Sequence, residues 1–67
     1  MHETWQKIYS SGLEYKVEMV RARLKEDGIE GIVLNKKDRA YLFGEIELYV
    51  HPDHVIRAKQ IINNESL

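Results

Sequence analysis

Three neighbours, His51, Asp53 and His54, hold the clearest capacity for chemistry in this chain, because imidazole is the one side chain that changes charge near neutral pH without help. Two imidazoles flanking a carboxylate could begin a metal site, but the sequence places no further ligand at a metal-site spacing, and with Pro52 the stretch reads equally well as a strand stop and helix start. No metal is expected. Ser10, Ser11 and Ser66 are nucleophiles by type, yet none lies in a Gly-x-Ser-x-Gly turn or next to a histidine. Eight glutamates could supply an acid and a base; the best placed, Glu45 and Glu47, alternate along one segment and read as solubilising charges. With no cysteine in the chain, thiolate catalysis, thiolate metal sites and disulfides are excluded. The expectation is a protein without catalytic residues and without a cofactor.

Binding is better represented. Trp5, Lys7 and Tyr9 alternate along one segment, and Glu45, Glu47 and Tyr49 along another. If those segments are adjacent strands, three aromatic rings and three charges share one sheet face. Such a face can stack nucleic-acid bases, although two glutamates among the rings would repel phosphate. It can serve as a protein interface, for which Trp and Tyr are suited by their large area and polar tips. It can also be a solvated face on which Lys7 pairs with the glutamates across strands. A second candidate is the basic cluster Lys36, Lys37 and Arg39 with Tyr41, interrupted by Asp38 and equally readable as a solvated turn.

The elements that must position these residues are few. A chain of 67 residues holds one module spanning residues 1–67, and 43% apolar with 31% charged residues is a globular composition. Ten basic against eleven acidic residues give a formal charge of -1, removing the global electrostatic case for nucleic acid or an anionic membrane. No run approaches the ~18 apolar residues of a membrane span, and residues 1–5 lack a signal-peptide pattern, so a cytoplasmic protein is expected. A domain this small has little core to offset its chain entropy, which favours self-association or docking on another protein.

Period-two alternation predicts a strand over residues 5–10. Ser11 and Glu14 fit the capping box, in which the hydroxyl accepts the N–H three residues on and the glutamate reaches back. Leu13, Val17, Val20 and Leu24 then form an amphipathic stripe with Tyr15, Met19 and Ala22 beside it, Glu18 and Arg23 are spaced to pair with Arg21 and Asp27, and Gly28 ends the helix. Residues 29–34 are β-branched and too few for a helix; residues 35–39 are a polar turn; residues 40–43 fit either loop or strand. Residues 45–50 make a strand with Ile46, Leu48 and Val50 on one face. Asp53 is a plausible N-cap for a second helix, with Arg57 one turn on, Val55, Ala58 and Ile62 as its core stripe, Ile61 at the edge, and residues 63–67 as a frayed tail. The order β-α-β-β-α predicts an α+β, ferredoxin-like sandwich: a three-stranded antiparallel sheet of order 1-3-2 with both helices on one face, and the edge of the first strand unpaired.

The Trp-x-Lys-Ile-Tyr start, the Leu-Glu-Tyr-Lys-Val-Glu-Met-Val-Arg-Ala-Arg-Leu helix, the Asp-Gly-Ile exit, the Val-Leu-Asn-Lys-Lys-Asp turn and the Glu-Leu-Tyr-Val-x-Pro strand exit together resemble a small bacterial family, the putative prokaryotic signal-transducing proteins. The resemblance runs from residue 5 to about residue 62 and rests on hydrophobic and turn positions rather than a catalytic motif. It implies a ferredoxin-like domain similar to the nitrogen-regulatory PII proteins and a signalling role. PII proteins bind nucleotide and carry a long loop between the second and third strands, where this chain has residues 35–44 without a Gly-rich phosphate cradle. The readings are therefore a regulatory module that binds another protein or itself, a small-ligand or nucleotide sensor, and an RNA-binding module.

Overall fold

The computed structural model describes residues 4–36 and 44–67, and its elements follow in the order β1 (Gln6–Ser11), α1 (Glu14–Glu26), β2 (Gly31–Asn35), β3 (Ile46–Val50) and α2 (Val55–Asn64). The sheet order is β1-β3-β2, with β3 antiparallel to both neighbours, so the expected β-α-β-β-α arrangement is the observed one. Residues 40–43 lie outside the described residues.

One face of β3 organises the core. Ile46, Leu48 and Val50 alternate inward and are buried, and α1 covers them with Val17, Val20 and Leu24 while α2 adds Ala58 and Ile61. Ile29 closes the core between α1 and β2. No described polar or charged residue is buried there. Leu13, expected at the head of the α1 stripe, is exposed instead, because the chain at that point is still turning off β1.

Helix α1 ends as its sequence predicts. Gly28 takes φ +79°, the Gly28 N–H donates to the Lys25 carbonyl at 2.9 Å, and the Ile29 N–H donates to the Leu24 carbonyl at 3.0 Å. This paired closure leaves Ile29 and Leu24 in contact with one core. Its start differs from the expected capping box. Ser11 is the last residue of β1, paired with Ile46, and its hydroxyl accepts from the Leu13 N–H at 3.0 Å, two residues on rather than three.

The second helix also departs in detail. His51, not Asp53, turns the chain: its Nδ1 accepts from the Asp53 N–H at 3.0 Å, and a 3₁₀ turn over Pro52–His54 leads into α2. Ile61 is buried and Ile62 only partly so, reversing their expected roles, because the stripe advances three residues rather than four from Ala58. Arg57 reaches Asp27 at 2.6 Å instead of Asp53. Where a frayed tail is expected, α2 runs through Asn64, Ser66 takes φ 54°, and the Leu67 N–H donates to the Ile62 carbonyl at 3.0 Å, seating Leu67 against the core.

A bulge in β1 matters most for the candidate site. Lys7 opposes Tyr49 and Tyr9 opposes Leu48, so Ile8 is an extra residue in the ladder. A bulge turns two successive side chains toward one side. Both Ile8 and Tyr9 pack against the core.

Candidate functional site

The sheet face turned away from the helices is the candidate site. β3 runs through its centre with Glu47 and Tyr49, with Glu45 just before it; β1 contributes Lys7 and Ser10, with Trp5 just before it; β2 contributes Ile32 and Leu34, which oppose Tyr49 and Glu47. Tyr9, expected beside Trp5 and Lys7, is on the other side because of the bulge at Ile8. The face therefore carries two aromatic rings, Trp5 and Tyr49, and two aliphatic side chains not foreseen from the sequence. Ile32 and Leu34 are 44% and 43% exposed. Their alternation with Val33 was the available signal, once β2 is laid antiparallel to β3.

Glu47 is the electrostatic centre of this face. Its side chain is only 14% exposed and receives three partners: the Tyr49 hydroxyl donates to Oε1 at 2.8 Å, Lys36 Nζ lies 3.3 Å from the same oxygen, and Lys7 Nζ lies 3.5 Å from Oε2. The Tyr49 hydrogen bond, then Lys36 and the charge of Lys7, hold the Glu47 carboxyl below its ordinary range against the opposing effect of desolvation. Lys36 is raised in return, chiefly by its hydrogen bond to Glu47. Ser10 Oγ donates to Glu45 Oε1 at 2.9 Å, which gives the serine a structural partner. Trp5 and His51 make a T-shaped contact at 5.9 Å between ring centroids. The cross-strand pairing of Lys7 with a glutamate is thus present, and it coexists with exposed apolar area.

Of the basic loop cluster, Lys36 alone is described, and it belongs to this face through Glu47; Lys37, Arg39 and Tyr41 lie outside the described residues. His51, Asp53 and His54 are adjacent, but His51 Nδ1 is engaged by the Asp53 backbone N–H, and among the described residues no three His, Asp or Glu side chains converge as metal ligands would.

A second charged group joins the two helices. Arg23 forks onto Glu65 at 2.9 and 2.6 Å and reaches Asp27 at 3.2 Å, while Arg57 meets Asp27 at 2.6 Å, tying α1 to α2. The Arg23 hydrogen bond, with the charges of Arg23 and Arg57, lowers the Asp27 carboxyl.

The two depressed carboxyls give a pH prediction. A carboxyl with a lowered folded pKa adds stability above its unfolded value and loses it as pH falls through the folded value. Melting temperature should accordingly hold from neutrality to about pH 5 and decline below the ordinary carboxylate range near ~4. Lys36 acts at the opposite extreme, its contribution lost only as pH rises above the ordinary lysine range near ~10. In circular dichroism melts, Glu47→Gln should show a shallower acid decline than the wild type, and an unchanged slope would mean the Glu47 contacts add nothing to folding.

A family model described as putative prokaryotic signal transducing protein matches residues 5–66, nearly the full described fold. No curated protein and no solved structure matches the chain.

Proposed function

Because the chain belongs to the putative prokaryotic signal transducing protein family, we propose that it is a non-enzymatic regulatory module of the cytoplasm that binds another protein through the open face of its sheet. The observation supporting this is the composition of that face. Exposed Ile32 and Leu34 and the ring of Tyr49 lie beside a Glu47 carboxylate already matched by Lys7 and Lys36, and Trp5 stands against His51 just beyond the strand ends. Apolar area around a self-compensated charge favours a protein surface, whereas a phosphate backbone is best met by unmatched cations. A carboxylate in mid-face adds to the cost of placing nucleic acid there. No described helix is long and apolar enough to cross a membrane.

Trp5→Ala combined with Tyr49→Ala tests the reading. The rings lie outside the core, so the double variant should keep its far-ultraviolet spectrum while losing binding by about tenfold or more, the usual effect of removing anchor aromatics. The comparison is a quantitative pull-down with wild-type and variant baits from cells that express the protein, beside amide-shift titrations with ATP and a short oligouridylate. A protein retained by the wild type alone, with β3 amides unmoved by either nucleotide ligand, is the expected result. Saturable β3 shifts with oligouridylate would replace the reading with RNA binding, and shifts with ATP with a nucleotide sensor.

A further inference from the structure

The sheet has two edge strands, and they are not equivalent. β1 carries two features that discourage pairing with another chain, the bulge at Ile8 and the charge of Lys7. β2, with the sequence Gly-Ile-Val-Leu-Asn, has neither: it is uncharged and its pairing with β3 is regular throughout. No described strand lies beyond it. The edge best fitted to accept a strand is therefore that of β2, and not that of β1.

The backbone direction is fixed by one hydrogen bond. The Lys36 N–H donates to the Glu45 carbonyl at 3.1 Å, so the even-numbered residues along β2 turn their backbone groups toward β3. Antiparallel ladders alternate, which turns the N–H and C=O of Val33 outward to the edge; those of Gly31 turn the same way, although Gly31 itself is buried. Side chains alternate as well, with Ile32 and Leu34 on the open face and Val33 toward the helices.

We infer that β2 pairs antiparallel with β2 of a second copy, about a two-fold axis at Val33, joining two three-stranded sheets into one of six strands. In this register the outward groups of Val33 meet those of the second copy's Val33. Ile32 stands opposite the second copy's Leu34, and Leu34 opposite its Ile32, gathering four exposed aliphatic side chains into one patch. Continuing the register by one pair at each end sets Glu30 opposite the second copy's Lys36, twice. Both residues are exposed, and Lys36, already 3.3 Å from Glu47 of its own copy, would stand between that carboxylate and the second copy's Glu30, so the strand is complementary in charge to itself. Moving the axis to Ile32 would set Glu30 against Leu34, moving it to Leu34 would set Ile32 against Lys36, and moving it to Gly31 would set Glu30 against Ile32, so only the axis at Val33 matches apolar with apolar and acid with base. A formal charge of -1 per copy leaves little long-range repulsion to oppose the pairing. The second copy sits on an edge beside the face proposed to bind a protein partner, so the pairing doubles that face and does not depend on that partner.

Because the chain has no cysteine, single introduced thiols report the register directly. In the proposed pairing residues 32 and 34 of opposite copies form a pair with Cα atoms ~4.5 Å apart, within disulfide reach. Like residues (32 with 32, or 34 with 34) are diagonal at about 8 Å and beyond it. An oxidised equimolar mixture of Ile32→Cys and Leu34→Cys should give the mixed disulfide in several-fold excess over either like pair. Sedimentation equilibrium of the wild type from about 10 µM to about 1 mM should show the mass rising from 7.9 kDa toward twice that value. Glu30→Lys should weaken the dimer about tenfold by opposing two lysines, and adding Lys36→Glu should restore it, with circular dichroism confirming the fold in each case. A wild-type mass that stays at 7.9 kDa throughout, or like disulfides as abundant as mixed ones, would overturn the pairing.

Discussion

Val20→Asp abolishes the cooperative melting transition of this domain, whereas Arg21→Ala, one residue along the same helix, leaves it nearly unchanged. That is the expected result, and it follows from the direction of α1. Val20 is fully buried, midway along a stripe with Val17 and Leu24, and the core it faces contains no polar group to receive a charge. An aspartate there must either carry an unpaired charge into apolar surroundings or bind a proton at neutral pH, and either route costs several kcal/mol. A domain of this size has on the order of 3–10 kcal/mol in total. Arg21 is exposed and loses a surface contact with Glu18 at 3.4 Å, the kind of pair that adds little, together with the outer part of a stem that lies over Gly31. Circular dichroism melts of the two variants decide the matter: equal melting temperatures would put the buried stripe on the wrong side of α1.

That stripe is also where the sequence is most legible, and the reason is physical. Val17, Val20 and Leu24 must meet Ile46, Leu48 and Val50 for the chain to bury any core at all, and both patterns repeat with the period of their own element. Helix order, strand order and the Gly28 stop follow from such local regularities. What pattern alone does not fix is pairing. Gln6, Lys7, Ile8, Tyr9 and Ser10 alternate well enough to be a regular strand, and only the ladder against β3 shows that Ile8 is an extra residue and that Tyr9 opposes Leu48. The candidate face accordingly loses Tyr9 and gains Ile32 and Leu34, whose side was undetermined until β2 was paired with β3. The same holds for Ile61 and Ile62, where adjacent isoleucines make the stripe ambiguous by one position and packing against the core decides. The links from Arg23 to Glu65 and from Arg57 to Asp27 join residues 42 and 30 apart in the chain, and no local spacing announces them.

Long-range closeness of this kind also sets the most informative energetic test, a double-mutant cycle at Gly31 and Leu48. Leu48 is fully buried at the centre of β3, opposed by Tyr9 on one side and Val33 on the other. Truncating it to alanine should cost ~2–5 kcal/mol through lost transfer energy and an unfilled cavity. At Gly31 the constraint is space: a Cβ would stand 2.8 Å from Leu48 Cδ1 and 3.5 Å from Arg21 Cγ, so α1, β2 and β3 close on this residue because it has no side chain. Leu48 is held by the core around it and has little freedom to yield, and Gly31→Ala should therefore cost ~1–3 kcal/mol by overpacking. In Leu48→Ala the offending methyl is gone, and the alanine Cβ enters the space it left. The double variant should thus be more stable than the sum of the single losses predicts, by at least ~1 kcal/mol, in urea unfolding read by circular dichroism. Additivity within about 0.5 kcal/mol would mean that the two residues do not share that space, and that the close approach of β2 to β3 beneath α1 has another cause.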